Sequence, residues 1–252
     1  MIVFSRVLTT AAAMVAVLAS AVPSSAEEIR VLSSLGIKAV VEDLAPKFEK
    51  SSKIKVTPVF DLASALKAKI DLGEPFDVAI LTPALLDELI AKGKVAPASK
   101  SVVARVGLGL MTKAGAKKLD IGTVDAFKRT LLDAKSITYA GAGASGVAFV
   151  ATIDKLGIAD ALKTKSKLAA SGDEVNANIT SGAADLAVLP VSEILPVKGA
   201  QLGGVFPAEI QTYIVMAAGV NASAKSAAAQ QFVTFLMSPA NSPVIKAKGM
   251  DR

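Results

Sequence analysis

The side chains able to do chemistry in this chain are hydroxyls at junctions. Ser33 and Ser34, Ser64, Thr82 and Ser145 each fall where a short apolar run gives way to a helical pattern. A helix that opens at such a turn leaves its first backbone N–H groups unpaired at the positive end of its dipole, a ready place for an anion. A hydroxyl there adds a neutral donor, although the same hydroxyl also serves as an ordinary helix cap. Four hydroxyl-bearing junctions in one chain point to an anion held by neutral donors. Gly146, at the end of the small-residue turn, and Ser192, just after a late apolar run, are counted with them as ligand-binding candidates.

What is missing narrows the chemistry further. The chain has no His and no Cys, so a Ser-His-Asp triad, a Cys-His pair and zinc held by nitrogen or sulfur are excluded. Carboxylates could still hold a hard cation, but no segment shows the alternating Asp/Asn spacing of a calcium loop, and no metal is expected. Ser64-Ala-Leu-Lys67 matches S-x-x-K without the companion K-T-G and S-D-N motifs, so it reads as a helix surface. The turn Gly141 to Gly146 is neither a Walker A loop nor a complete G-x-G-x-x-G fingerprint. No cofactor is expected. Asp61 and Glu193 lie near the hydroxyl-bearing turns and read as solvated loop acids, since turned inward they would repel an anion. Lys38 stands one helical turn beyond Ser34 and either reaches a carboxylate or lies on a solvated face.

The elements that must position these groups alternate. Residues 136–157 read as a short strand, a small-residue turn and an amphipathic helix with Val147, Val150 and Ile153 on one face. Residues 29–44 repeat that plan. Further strands are expected at 55–60, 77–81, 185–189 and 212–220, and helices at 37–51, 62–72, 84–91, 123–133, 173–181 and 224–237. Pro46 predicts a kink or break in the first helix. Such alternation argues for mostly parallel sheets covered on both faces. The Gly-containing apolar run 102–112 and the segment 201–208 read as two crossings. They divide the chain into a discontinuous first lobe (27–103 plus 207–252) and a continuous second lobe (104–206). Ligands of open α/β sheets bind beyond the carboxyl ends of strands, so the site is expected between the lobes.

The first 26 residues read as a secretory signal: a short basic start, an apolar Ala-rich run and a small-x-small cleavage pattern at Ser24-Ser25-Ala26. No later segment is long and apolar enough to span a bilayer, and without Cys no lipid-modified cysteine follows the signal. A monomer of the bacterial periplasm, not embedded in the membrane, is the expected form. The formal net charge is +6, but Lys residues alternate with acids and aromatics are few, which argues against nucleic acid.

At this point the chain resembles a family. The segments IRVLSSLG, DLASALKAKIDLGEPFDVAIL, ASGVAFVATIDKLGI, GAADLAVLPVSEILPV and QQFVTFLMSPANSPVIKAKGM together look like bacterial periplasmic solute-binding proteins of the molybdate-binding branch. The resemblance implies a two-lobed type II α/β fold and an oxyanion held by serine hydroxyls and backbone amides. It also implies delivery of the solute to the membrane permease of an ABC importer. Gly36 stands where the molybdate binders place their first-turn serine, Ala144-Ser145-Gly146 replaces their Pro-Ala-Gly turn, and Pro190 stands at their late tyrosine. These departures leave a small organic acid open as the solute. Some proteins resembling this branch isomerise unsaturated tricarboxylates such as aconitate. Without His, the groups able to move that proton would be Lys38, Tyr139, Glu193 or a serine with a perturbed neighbour.

Overall fold

The computed structural model describes residues 27–224 and 227–252, so the expected export signal lies outside the described residues. The chain opens with β1 (Glu28–Ser34), α1 (Lys38–Ser52), β2 (Lys55–Asp61), α2 (Ala63–Asp71), β3 (Val78–Leu81) and α3 (Pro83–Ala91). The long β4 (Ser101–Lys113) leads to α4 (Val124–Asp133), β5 (Ile137–Ala140), α5 (Ala144–Lys155), α6 (Ala159–Lys163), β6 (Ser166–Ala169), α7 (Gly172–Ser181) and β7 (Leu186–Pro190). The short α8 (Val191–Ile194), β8 (Ala200–Val205), β9 (Tyr213–Val220), α9 (Ala228–Met237) and α10 (Ser242–Ala247) complete it.

The strands lie in the order β2-β1-β3-β9-β4-β7-β5-β6, with β8 also paired to β4. At one end β1 pairs in parallel with β2 and β3, and at the other β5 pairs in parallel with β6 and β7. The expected parallel arrangement therefore holds for the outer strands, which helices connect. The strands between them run antiparallel, because a chain that leaves one sheet-half returns beside its outgoing strand. β4 changes partner along its length, pairing with β9 up to Gly107 and with β7 and β8 from Leu108 onward. The result is a two-lobed α/β molecule with one principal core and a smaller apolar cluster in each sheet-half.

Two local expectations are corrected. Pro46 neither breaks nor divides α1, which runs unbroken through it. The proline forfeits one backbone hydrogen bond and crowds the preceding turn, about 3 kcal/mol or more. Burying Val40, Val41, Leu44 and Phe48 on the same helix outweighs that at roughly 1.5–3 kcal/mol for each large side chain. On α5, Val147 and Val150 are exposed, and the inward face is Gly146, Phe149, Thr152 and Ile153. Gly146 sets the rotation. A methyl group there would lie 2.0 Å from the Ala140 carbonyl oxygen, so only glycine lets the helix start directly against the end of β5.

At the carboxyl end of the chain, Phe232 and Leu236 dock on the core, with Phe48 edge-on to Phe232 at 5.1 Å. Ala227, the residue before α9, is exposed, and the buried face of the helix is Ala228, Ala229, Phe232, Val233 and Leu236.

Candidate functional site

Three strands end at one place. Beyond the carboxyl ends of β1, β2 and β5 the chain turns into Leu35, α2 and α5, and these turns surround a cavity of about 30 Å³. Ser34, Leu62 and Ala63 line it from one side, Gly143, Ala144, Ser145, Gly172, Pro190 and Glu193 line it from the other, and Met216 of β9 lies against it. The elements on its two sides belong to the two sheet-halves.

The electrostatics come mostly from the backbone. Neither α2 nor α5 has a side-chain cap or an acid in its first turn. Their leading N–H groups therefore keep their hydrogen-bonding capacity and the positive end of the dipole. The Ser34 and Ser145 side chains are buried, and neither makes a hydrogen bond among the described residues. A small anion seated here would meet amides and hydroxyls with no cation required.

The other candidates take different positions. Ser33 is fully buried in β1, one residue out of phase with Ser34, and its hydroxyl makes only a long 3.4 Å contact to the Ser34 carbonyl. Ser64 is exposed on α2, one residue past the lining Ala63, and Thr82 is half-buried before α3 without capping it. Neither lines the cavity. Gly146 supports the turn from behind. The buried Ser192 hydroxyl donates to the Gly36 carbonyl at 2.6 Å, tying α8 to the turn after β1. Tyr139 packs its ring edge-on against Phe149 at 5.0 Å and lies in the core. Lys38 is exposed, 3.8 Å from Glu42 and 5.5 Å from the Phe60 ring centroid.

The two acids near the turns part company. Asp61 is partly buried. Its burial is outweighed by Lys69 at 2.8 Å and the Leu62 amide at 2.8 Å, which hold its carboxyl below the usual range and turned from the cavity. Glu193 is not the solvated loop acid its sequence context implied. It lines the cavity and also a second one of about 270 Å³ bordered by Lys38, Glu42, Asp173 and Asn176. Although its side chain keeps some exposure, protein surrounds it. Burial first, and the neighbouring Asp173 charge second, push its carboxyl up to about 7.

Three lining features escape sequence inspection: the Ala63 and Ala144 amides, the Met216 side chain and the inward Glu193. Backbone donors carry no residue signature, and Met216 reaches the site only through the antiparallel return of β9. Among the described residues no cluster of acids is arranged to hold a metal ion, and no helix is long and apolar enough to cross a membrane.

This architecture is that of the type II periplasmic binding proteins, and the chain belongs to the bacterial extracellular solute-binding protein family, whose model matches residues 29–251. It is 28% identical over 229 residues to an aconitate isomerase of a Pseudomonas species, covering 88% of this chain and 87% of that protein. It is equally 28% identical over 235 residues to the molybdate-binding protein ModA of Azotobacter vinelandii, covering 90% of each. The solved periplasmic molybdate-binding protein of that organism shares the fold at a TM-score of 0.77, with 23% identity over 89% of this chain and 99% of that one.

Proposed function

We propose that this protein is a periplasmic receptor that captures a small anion between its lobes and presents it to the permease of an ABC importer. One observation carries the reading: buried, unpartnered Ser34 and Ser145 hydroxyls meet the uncapped starts of α2 and α5 at a single cavity. The lobe boundaries go with it, 27–103 plus 207–252 against 104–206, supported by the partner switch of β4 and the return through β9. The anion is a compact oxyanion such as molybdate, or a small organic acid. Solute-binding relatives support the transport role, and the amide-and-hydroxyl lining supports the charge of the cargo.

The measurement is a thermal-melt panel of molybdate, tungstate, sulfate and di- and tricarboxylates. At 100 times Kd a ligand adds about 2.7 kcal/mol to folding, so one class of anion should raise Tm by several degrees and leave the added molecule unchanged. A panel without a shift removes the reading.

A second reading is isomerisation of an unsaturated tricarboxylate. It is favoured by Glu193, whose carboxyl near neutrality suits an acid–base role at the cavity wall, and by the similarity to an aconitate isomerase. Tyr139 fits that role poorly, since its ring is in the core, and Lys38 borders only the second cavity. Room for about 30 Å³ holds little more than a water or two, so a six-carbon substrate requires the lobes to part further than a compact oxyanion does. Proton NMR of cis- or trans-aconitate with catalytic amounts of protein decides: interconversion supports the enzyme, and a static spectrum removes that substrate.

A further inference from the structure

A carboxyl group in the wall of an anion site is a contradiction unless something resolves it. Glu193 is on α8, the short helix that also carries the Ser192 tie to Gly36. Its two oxygens rest against the backbones of opposite sheet-halves. A methyl group on Gly36 would lie 3.6 Å from Oε1, and one on Gly172 would lie 3.2 Å from Oε2. The charged groups facing it are Asp173 on α7 and, across the second cavity, Lys38 and Glu42 on α1. Lys38 leans toward Glu42 at 3.8 Å. Glu193 itself has no ion pair and no hydrogen bond among the described residues, and the other residues lining the cleft cavity are uncharged.

We propose that Glu193 is a specificity-determining residue that enters the closed site as a neutral carboxylic acid and donates its proton to an oxygen of the bound anion, so that capture takes up one proton. This rests on the reading of the cavity as an anion site, and it names the chemistry of the cargo more narrowly: a fully ionised oxyanion or carboxylate offering a bare acceptor oxygen. The proton stays on Glu193 in a shared hydrogen bond, and no bond of the anion is broken. An ionised Glu193 would face the anion as a like charge in a site of low polarity, which opposes closure. The carboxyl's position near neutrality, well above that of an ordinary carboxylate, leaves a neutral form available at neutral pH.

The test is titration calorimetry of the full protein with molybdate, sulfate and trans-aconitate, all essentially fully ionised above about pH 7.5, so that any proton uptake there belongs to the protein. In buffers of different ionisation enthalpy, the probe that binds should bring close to one proton with it above about pH 7. Its affinity should fall roughly tenfold per pH unit there. E193Q should lose both the uptake and the slope. Binding that is flat with pH and releases or takes up no proton overturns the proposal while leaving the anion site intact. Absence of binding by every probe overturns the anion site and the proposal together.

A ligand-free measurement stands beside it. The folded chain holds the Glu193 proton more tightly than the unfolded one, so this group's contribution to stability is full below about 4.5 and lost as pH rises through about 7. The Tm of wild type should therefore drop relative to E193Q between those limits, and parallel curves contradict the proposal. Should E193Q not fold, wild-type proton uptake decides alone.

Discussion

Two pairs of helix starts in this molecule stand in contrast. At α4 and α7, away from the cleft cavity or at its margin, the first turn is capped in the ordinary way. The Thr123 hydroxyl accepts from the Ala126 amide and the Ser171 hydroxyl from the Glu174 amide, each at 3.2 Å, with Asp125, Asp173 and Glu174 set against the dipole. At α2 and α5, which open onto the cavity, neither a cap nor an acid is present. A missing cap typically costs a helix about 1 kcal/mol. Two such omissions side by side, with two idle hydroxyls between them, leave a set of donors that an anion can satisfy. Helices α1, α3 and α9 also start without a side-chain cap or a first-turn acid, so what sets α2 and α5 apart is that both open onto one cavity beside two buried, unpartnered hydroxyls.

Moving features between the two sets tests the contrast. The largest effect is expected from A144D, which gives α5 the first-turn acid that α4 already has. It should leave Tm unchanged or slightly raised through the dipole, while weakening the anion identified in the melt panel about 100-fold, read by calorimetry. Next comes S145A, which removes one neutral donor. A hydrogen bond to a charged partner is worth about 1.5–3 kcal/mol, so affinity should fall by roughly tenfold or more with little change in Tm. The smallest is T123A, which strips the cap from α4. It should cost about 1 kcal/mol, a Tm drop of about 3 °C, and leave affinity untouched. If A144D binds as well as wild type, or T123A loses binding, the contrast between the two sets is false.

Much of the fold was legible because it obeys local rules. The Thr123 cap and the acid behind it marked the start of α4 directly, and DVAIL and ADLAVLP announced the buried β3 and β7. Less legible was β6, whose SKLA sequence exposes Lys167 and Leu168 and carries no clear alternation. The inward face of α5 was misread because its rotation is fixed by a close approach of Gly146 to the Ala140 carbonyl, a contact between backbones that hydrophobic periodicity does not encode.

The site was half legible for a similar reason. Strand-to-helix junctions named the neighbourhood and two of its hydroxyls. Strand alternation then separated Ser34 from Ser33, and helix phase turned Ser64 outward. Glu193 looked like one more loop acid, because nothing local shows that Gly36 and Gly172, distant in the chain, close around it.

The central claim is that an anion is held by unpaired donors where strands hand over to helices. The most direct measurement is a crystal structure of the protein soaked with the anion that gives the largest melt shift. The account predicts density between the lobes with oxygens about 3 Å from Ser34 Oγ, Ser145 Oγ and the amides that begin α2 and α5. The same anion bound on an outer face, with those four groups untouched, would contradict it.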